Sequence, residues 1–155
     1  MKAQQWSIAA LRIILGWYMF ADGYLNLIAP GFTSKGFLLG AKTFPAFYAW
    51  FAHPANLAWV DPLNVWGIIL IGVALLLGIG VRPAAWAGIL MMILYYFPHY
   101  AYPFHFDHGW IVEEHVLLAA GFLVVAVSPF AEYLGLGGWA RRSFLARIPL
   151  LGRLI

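Results

Sequence analysis

Two stretches of this chain carry residues whose types and spacing could do chemistry. The first, RIILGWYMFADGYLNL, places Arg12 and Asp22 inside an otherwise apolar run. The second, PHYAYPFHFDHGWIVEEH, gathers His99, His105, Asp107, His108, Glu113, Glu114 and His115. Ionisable groups within hydrocarbon are costly and are functional candidates by default. If the first run is a helix, Asp22 lies about 9 Å short of its end near Ile28, and about 15 Å along the axis from Arg12. The two are therefore not partners. Arg12 reads as structural, bonding carbonyls or Glu132. Asp22, one turn from Asn26, reads equally as a buried proton acceptor or a structural group.

The histidine-rich stretch supports three readings. His and carboxylate clusters suit zinc, iron or copper, but the spacing of His105, Asp107 and His108 matches no established metal motif, and no metal is assigned. A hydrogen-bonded loop that titrates with pH is the second. The third is a redox and proton-transfer site at the lipid boundary. A quinone would suit it, because its reduction needs two electrons and two protons delivered at the membrane interface. Carboxylates and histidines supply such protons when burial and neighbours tune them. Tyr95, Tyr96, Phe97, Tyr100, Tyr102 and Trp110 could wall a flat ring, although Tyr and Trp also gather at membrane interfaces for amphipathic reasons alone.

These groups need elements to position them, and the composition says which. Of 155 residues, 64% are hydrophobic and only 10% charged, with mean hydropathy +0.83. A soluble domain carries about a quarter charged residues, so lipid must solvate much of this chain. The expected fold is all-α: one integral membrane domain over 1–155, built as a four-helix bundle. Its spans run at about 6–28, 63–80, 83–98 and 111–128, each near the length that crosses hydrocarbon or somewhat short of it. The first span is interrupted by Arg12 and Asp22, has no cleavage site, and is expected to be retained. Small residues at helical spacing mark contact seams: Arg12, Gly16, Met19, Gly23 and Asn26 in the first span, and Gly67, Ile71, Ala74 and Gly78 in the second.

Orientation follows the basic residues. With the N-terminus inside, Lys2, Arg82, Arg141, Arg142, Arg147 and Arg153 face the cytoplasm, and Lys35 and Lys42 lie outside. Both termini are then cytoplasmic, in a multi-pass protein of a prokaryotic plasma membrane. All five histidines fall on the outer side. Residues 31–60, rich in aromatics, Gly and Pro, are too long for a plain connector and are expected to form an outer cap. The basic, apolar tail 139–155 reads as an interfacial amphipathic helix on the inner leaflet, with protein docking as its alternative. Nucleic acid is excluded as a partner, since no basic patch sits on a soluble fold. The absence of cysteine removes any thiolate ligand or covalent thiol intermediate on this chain.

A family likeness runs through most of the chain in order. RIILGWYMFADGYLNL resembles the opening helix of the DoxX/DoxD membrane proteins. GVALLLGIGVRPAAWAGIL is similar to that family's second helix, arginine turn and third helix. EEHVLLAAGFLVVA with AEYLGLGGWARR resembles the fourth helix and tail. The Asp-Gly pair of the first helix and the Glu-His pair of the fourth look closest to the DoxD-type subunit of thiosulfate:quinone oxidoreductase. That resemblance implies an enzyme oxidising thiosulfate to tetrathionate on the outer face, with a membrane quinone as electron acceptor and a DoxA-type partner subunit; a homo-oligomer is compatible with it. On this reading Asp22, Glu114 and His115 handle protons for the quinone. Lys35, Lys42, His53, His99, His105 and His108 would bind thiosulfate or another small anion, and Tyr95, Tyr96, Tyr100 and Trp110 would hold the ring. The alternative is a non-catalytic subunit that anchors or assembles a redox complex.

Overall fold

Glycine spacing decides how closely the two longest helices approach. The computed structural model describes residues 2–99 and 111–142. Its elements are α1 (Lys2–Ile28), α2 (Lys35–Leu39), α3 (Pro45–Phe51), α4 (Pro54–Leu77), α5 (Val81–His99), α6 (Glu114–Val127) and α7 (Gly137–Arg142), with no strand among the described residues. Ala9, Arg12, Leu15, Gly16, Met19 and Gly23 form the buried stripe of α1, stepping by three, four and one along a single helical face. Against it α4 runs antiparallel. A Cβ on Gly16 would stand 3.0 Å from Leu75, and one on Gly23 would stand 2.7 Å from Ile69. Gly72 is tighter still, since its Cβ would lie 2.5 Å from the Phe20 backbone nitrogen.

Most of the α4 seam suggested by its sequence meets neighbours: Ile71 is buried in the core, Ala74 packs against it, and Gly78 stands against Arg12 of α1. Gly67 has only the Met91 sulfur of α5 nearby, 3.8 Å from a would-be Cβ. The contact line to α1 passes instead through Ile68, Ile69, Gly72 and Leu75. Small residues recur at several registers of α4, and only the partner's surface selects one. α5 packs on α4 and α6, and α6 also meets α1. Leu15, Met19, Ile68, Leu75, Met92 and Phe122 are among the side chains of the common core. Gly88 admits the Phe122 ring, whose edge would be 2.9 Å from any Cβ there.

Outward faces are apolar too: Ile14, Trp17, Leu25, Leu63, Leu70, Leu117 and Val127 are all well exposed. A helix apolar all round belongs in a buried or lipid setting. Two helices, Lys2–Ile28 and Pro54–Leu77, are long and apolar enough to cross a membrane. α6 has 14 residues, about 21 Å of helix, less than the roughly 30 Å of a hydrocarbon core.

α4 starts at Pro54, nine residues before the span expected from hydropathy. His53 caps it, its Nδ1 accepting from the Ala55 amide at 3.3 Å, and proline occupies the first turn, where a missing N–H costs nothing. Residues 54–60, expected in the outer loop, are thus its first two turns, and Pro62 sits within the helix. The rest of that segment forms α2 and α3. Leu38, Ala41, Tyr48 and Ala52 make a second small core, supported by Leu57, Val60 and Phe97. Asp61 ties this segment down by accepting from the Ser34 amide at 2.9 Å and from the Ser34 hydroxyl. Asp61→Ala is expected to speed tryptic cleavage after the exposed Lys35 and Lys42 severalfold, as followed by mass spectrometry, with little change in the melting of the whole protein.

At the opposite end, Arg12 is fully buried. Its Nη1 donates to the Ala131 carbonyl at 3.1 Å, and Glu132 lies within range of its charge. Gly78, at φ +67°, closes α4 in the left-handed conformation that glycine adopts without strain, and a side chain there would come within 2.7 Å of the guanidinium. The Leu136 amide then bonds the Leu77 carbonyl at 2.8 Å, stitching the chain after α6 to the end of α4. Of the basic tail, α7 covers only Gly137–Arg142; residues 143–155 lie outside the described part.

Candidate functional site

Asp22 and Asn26, four residues apart, present their side chains from one side of α1. Asn64 lies on α4, Tyr95 on α5, and Glu114 and His115 open α6. All six line one cavity of about 460 Å³. Its remaining walls are largely apolar, with Met19, Met91, Met92 and Leu118 among the aliphatic side chains and an aromatic share from Phe37 of α2, Phe47, Tyr48 and Phe51 of α3, and Trp59 of α4. Among the described residues, no lysine or arginine lines it.

The polar groups are held in place. The Tyr95 hydroxyl bonds Asn64 Oδ1, and the Tyr95 ring meets His115 edge to face at 6.2 Å and Phe37 at 5.7 Å. The Tyr48 hydroxyl donates to the Leu94 carbonyl at 2.9 Å; burial raises its pKa above the ordinary phenol value, so it remains a donor at neutral pH. Asp22 and Glu114 approach closely enough for their charges to act on each other. His115 Nδ1 lies 2.9 and 3.0 Å from the two carboxylate oxygens of Glu113.

Such a site can hold a flat, amphipathic molecule between aromatic faces and exchange protons with it at one polar end. The ligand atoms of Glu113, Glu114 and His115 also lie within 4.8 Å of one another, near enough to share a cation. In this geometry, however, Glu113 and His115 Nδ1 satisfy each other, which leaves neither as an open ligand.

The structure thus brings together Asp22, Glu114, His115 and Tyr95 from three helices. It does not bring Tyr96, whose buried hydroxyl donates to the Ile111 carbonyl at 3.0 Å. Lys35, Lys42 and His53 are exposed and outside the cavity wall; the Lys42 amide bonds the Pro98 carbonyl at 3.2 Å. His99 ends α5 with its side chain outside the described part, and Tyr100, His105, His108 and Trp110 lie wholly outside it. Sequence reasoning missed Asn64 and passed over Glu113. A lone amide in a long apolar run was a signal for the first, and the helix start at Glu-Glu-His for the second.

A DoxX family profile matches residues 7–101. The chain belongs to the DoxX family. No curated protein and no solved structure matches it. The DoxX match spans nearly all of α1 and the whole of α2 to α5, and so contains Asp22, Asn64 and Tyr95. DoxX proteins are membrane-associated, in keeping with the apolar outer faces of α1 and α4. Glu114 and His115 lie beyond the matched segment, on the helix that closes the cavity.

Proposed function

We propose that this DoxX protein is a quinone-reducing membrane oxidoreductase whose ring site is the cavity between α1, α4, α5 and α6. In this reading the four helices form a membrane bundle with both termini cytoplasmic, and α2 and α3 cap the cavity on the outer side. The observation that carries it is the pairing of aromatic walls with two carboxylates and a histidine. A quinone is neutral, flat and apolar at its ring, and it takes up two protons as it takes up two electrons. Tyr95 and Asn64 supply polar contacts to such a ring, while Asp22, Glu114 and His115 supply protons.

Charge argues about the electron donor. Two like unit charges 4 Å apart repel by about 4 kcal/mol at an effective dielectric of 20, so a dianion beside Asp22 and Glu114 is disfavoured in either ionised form. Thiosulfate, the donor that the family likeness suggests, is therefore proposed to dock outside the cavity, where Lys35 and Lys42 stand. Two thiosulfates joining through a new S–S bond give tetrathionate and release two electrons, which balances one quinone reduced with two protons to its quinol.

Titrating the purified protein with ring analogues tests the site without turnover. A neutral short-chain quinone is expected to quench the Trp59 part of the fluorescence, identified by its loss in Trp59→Phe. A sulfonated analogue of the same ring should bind at least tenfold more weakly. Equal binding of the two would sink the assignment of this cavity to a neutral ring. Quinone binding without thiosulfate-driven reduction would instead place the thiosulfate step on a DoxA-type partner subunit.

A further inference from the structure

Glu113 is not among the residues that line the proposed ring site, yet it touches His115, the one histidine among the described residues that does. It precedes α6 in extended conformation (φ −136°, ψ −171°), and its carboxylate accepts from the His115 amide at 3.0 Å. That satisfies one of the amides a helix start leaves unpaired. The same carboxylate also receives the ring Nδ1 of His115 at 2.9 and 3.0 Å. One group therefore holds both the backbone and the side chain of His115, which fixes the ring relative to the axis of α6. Glu113 and His115 are only 7% and 9% exposed, so water competes little for the contact.

An ionised carboxylate can only accept, so the ring nitrogen facing it must carry the hydrogen. The neutral imidazole then has its basic lone pair on Nε2. We propose that Glu113 is a positioning residue for proton transfer in the cavity. It holds His115 as the Nδ1–H tautomer and stabilises the imidazolium that forms when Nε2 takes a proton. The division of labour with its neighbour is clear, because Glu114 lines the cavity itself and Glu113 acts through His115. Among the described residues, the other titratable groups lining the cavity are Tyr18 and Asp22 from α1, Tyr48 from α3 and Tyr95 from α5. Glu113 keeps a direct ion-pair distance to the His115 ring, 2.9 Å from Nδ1. The transfer half of this inference rests on the quinone reading; the tautomer does not.

The test uses the full chain, labelled with ¹⁵N-histidine in detergent micelles, with the His115 signals identified by their loss in His115→Gln. The wild type should show neutral His115 protonated at Nδ1. Glu113→Gln keeps an oxygen for the helix cap, but its amide can also donate to Nδ1, so the Nε2–H form should become populated. In quinone reduction the same variant should lose at least tenfold in kcat with KM within about twofold, a loss on the scale of disturbed acid–base catalysis. Its pH profile should be displaced, and Glu113→Asp should recover part of the rate. An Nε2–H tautomer in the wild type overturns the proposal, as does a folded Glu113→Gln protein with unchanged tautomer and pH profile. Should Glu113→Gln not fold, the wild-type spectrum alone still decides the tautomer. Nδ1–H in a protein that binds no quinone supports the positioning role and overturns the quinone reading alone.

Discussion

Gly72→Ala is expected to lower the Tm of the purified protein by 10 °C or more, and Gly72→Leu to leave no folded protein to purify. The cause is distance. A Cβ at position 72 would meet Phe20 at 2.5 Å from its nitrogen, 2.7 Å from its Cα and 2.8 Å from its Cβ. Two of these three atoms are main chain, so no rotamer change relieves the clash and α1 must move off α4. Overpacking costs about 1–3 kcal/mol even in soluble cores that can adjust. Here the lost contacts are not replaced by a hydrophobic drive, because lipid is as apolar as the helix faces it would cover. Gly67→Ala is the control on the same helix. Its Cβ would meet only the Met91 sulfur, at the ordinary contact distance of 3.8 Å, and Tm should stay within a few degrees. Similar melting of Gly67→Ala and Gly72→Ala, measured by dye-free scanning fluorimetry, would remove Gly72 from its place at the helix crossing.

That contrast also shows how far the sequence could be read. The stripe on α1 was legible, because Arg12, Gly16, Met19 and Gly23 share one face and no alternative stripe on that helix carries two glycines and a charge. On α4, Gly67 and Gly78 share one face and Gly72 lies on another. Which one met α1 depended on the antiparallel register set by Phe20 and Ile69, and no local signal carries that information. The start of α4 was missed for a different reason. Hydropathy is diluted by Asn56, Asp61 and Pro62, whereas the His53-Pro54 pair, a cap followed by a first-turn proline, marked the true beginning.

The site was legible in part. Asp22, Glu114 and His115 could be chosen because an ionisable residue beside apolar helix is expensive and needs a reason. Their meeting in one cavity could not be read from spacing, since they stand on helices nearly a hundred residues apart. The lysines stand apart from this cavity. Lys35 and Lys42 fall in the same segment as the aromatic wall, but both are exposed, and the cavity wall takes Phe37 from between them. A short helix over a pocket turns one face in, here Phe37 and Leu38, and leaves its charged residue in water.

Asp22→Asn carries the largest expected effect on activity. Asparagine keeps the size of the aspartate and one acceptor oxygen but cannot release or accept a proton at neutral pH. If Asp22 shares proton delivery with Glu114 and His115, quinone reduction should fall about a hundredfold or more, within the range that one positioned acid–base group supplies. Ring binding should change little, because the aromatic walls are untouched. His115→Ala should slow turnover to a similar degree and also weaken binding, since it removes the ring that stands edge-on to Tyr95. The groups face one another across a single cavity, so their effects should not add. Asp22→Asn combined with Glu114→Gln is expected to be scarcely slower than the worse of the two alone, as happens when groups act as one unit. Stopped-flow quinone reduction and Trp59 quenching on the same samples separate the two quantities. Undiminished turnover in Asp22→Asn would leave the carboxylate a structural group and move proton delivery to the α6 side of the cavity, onto Glu114 and the His115 ring that Glu113 holds.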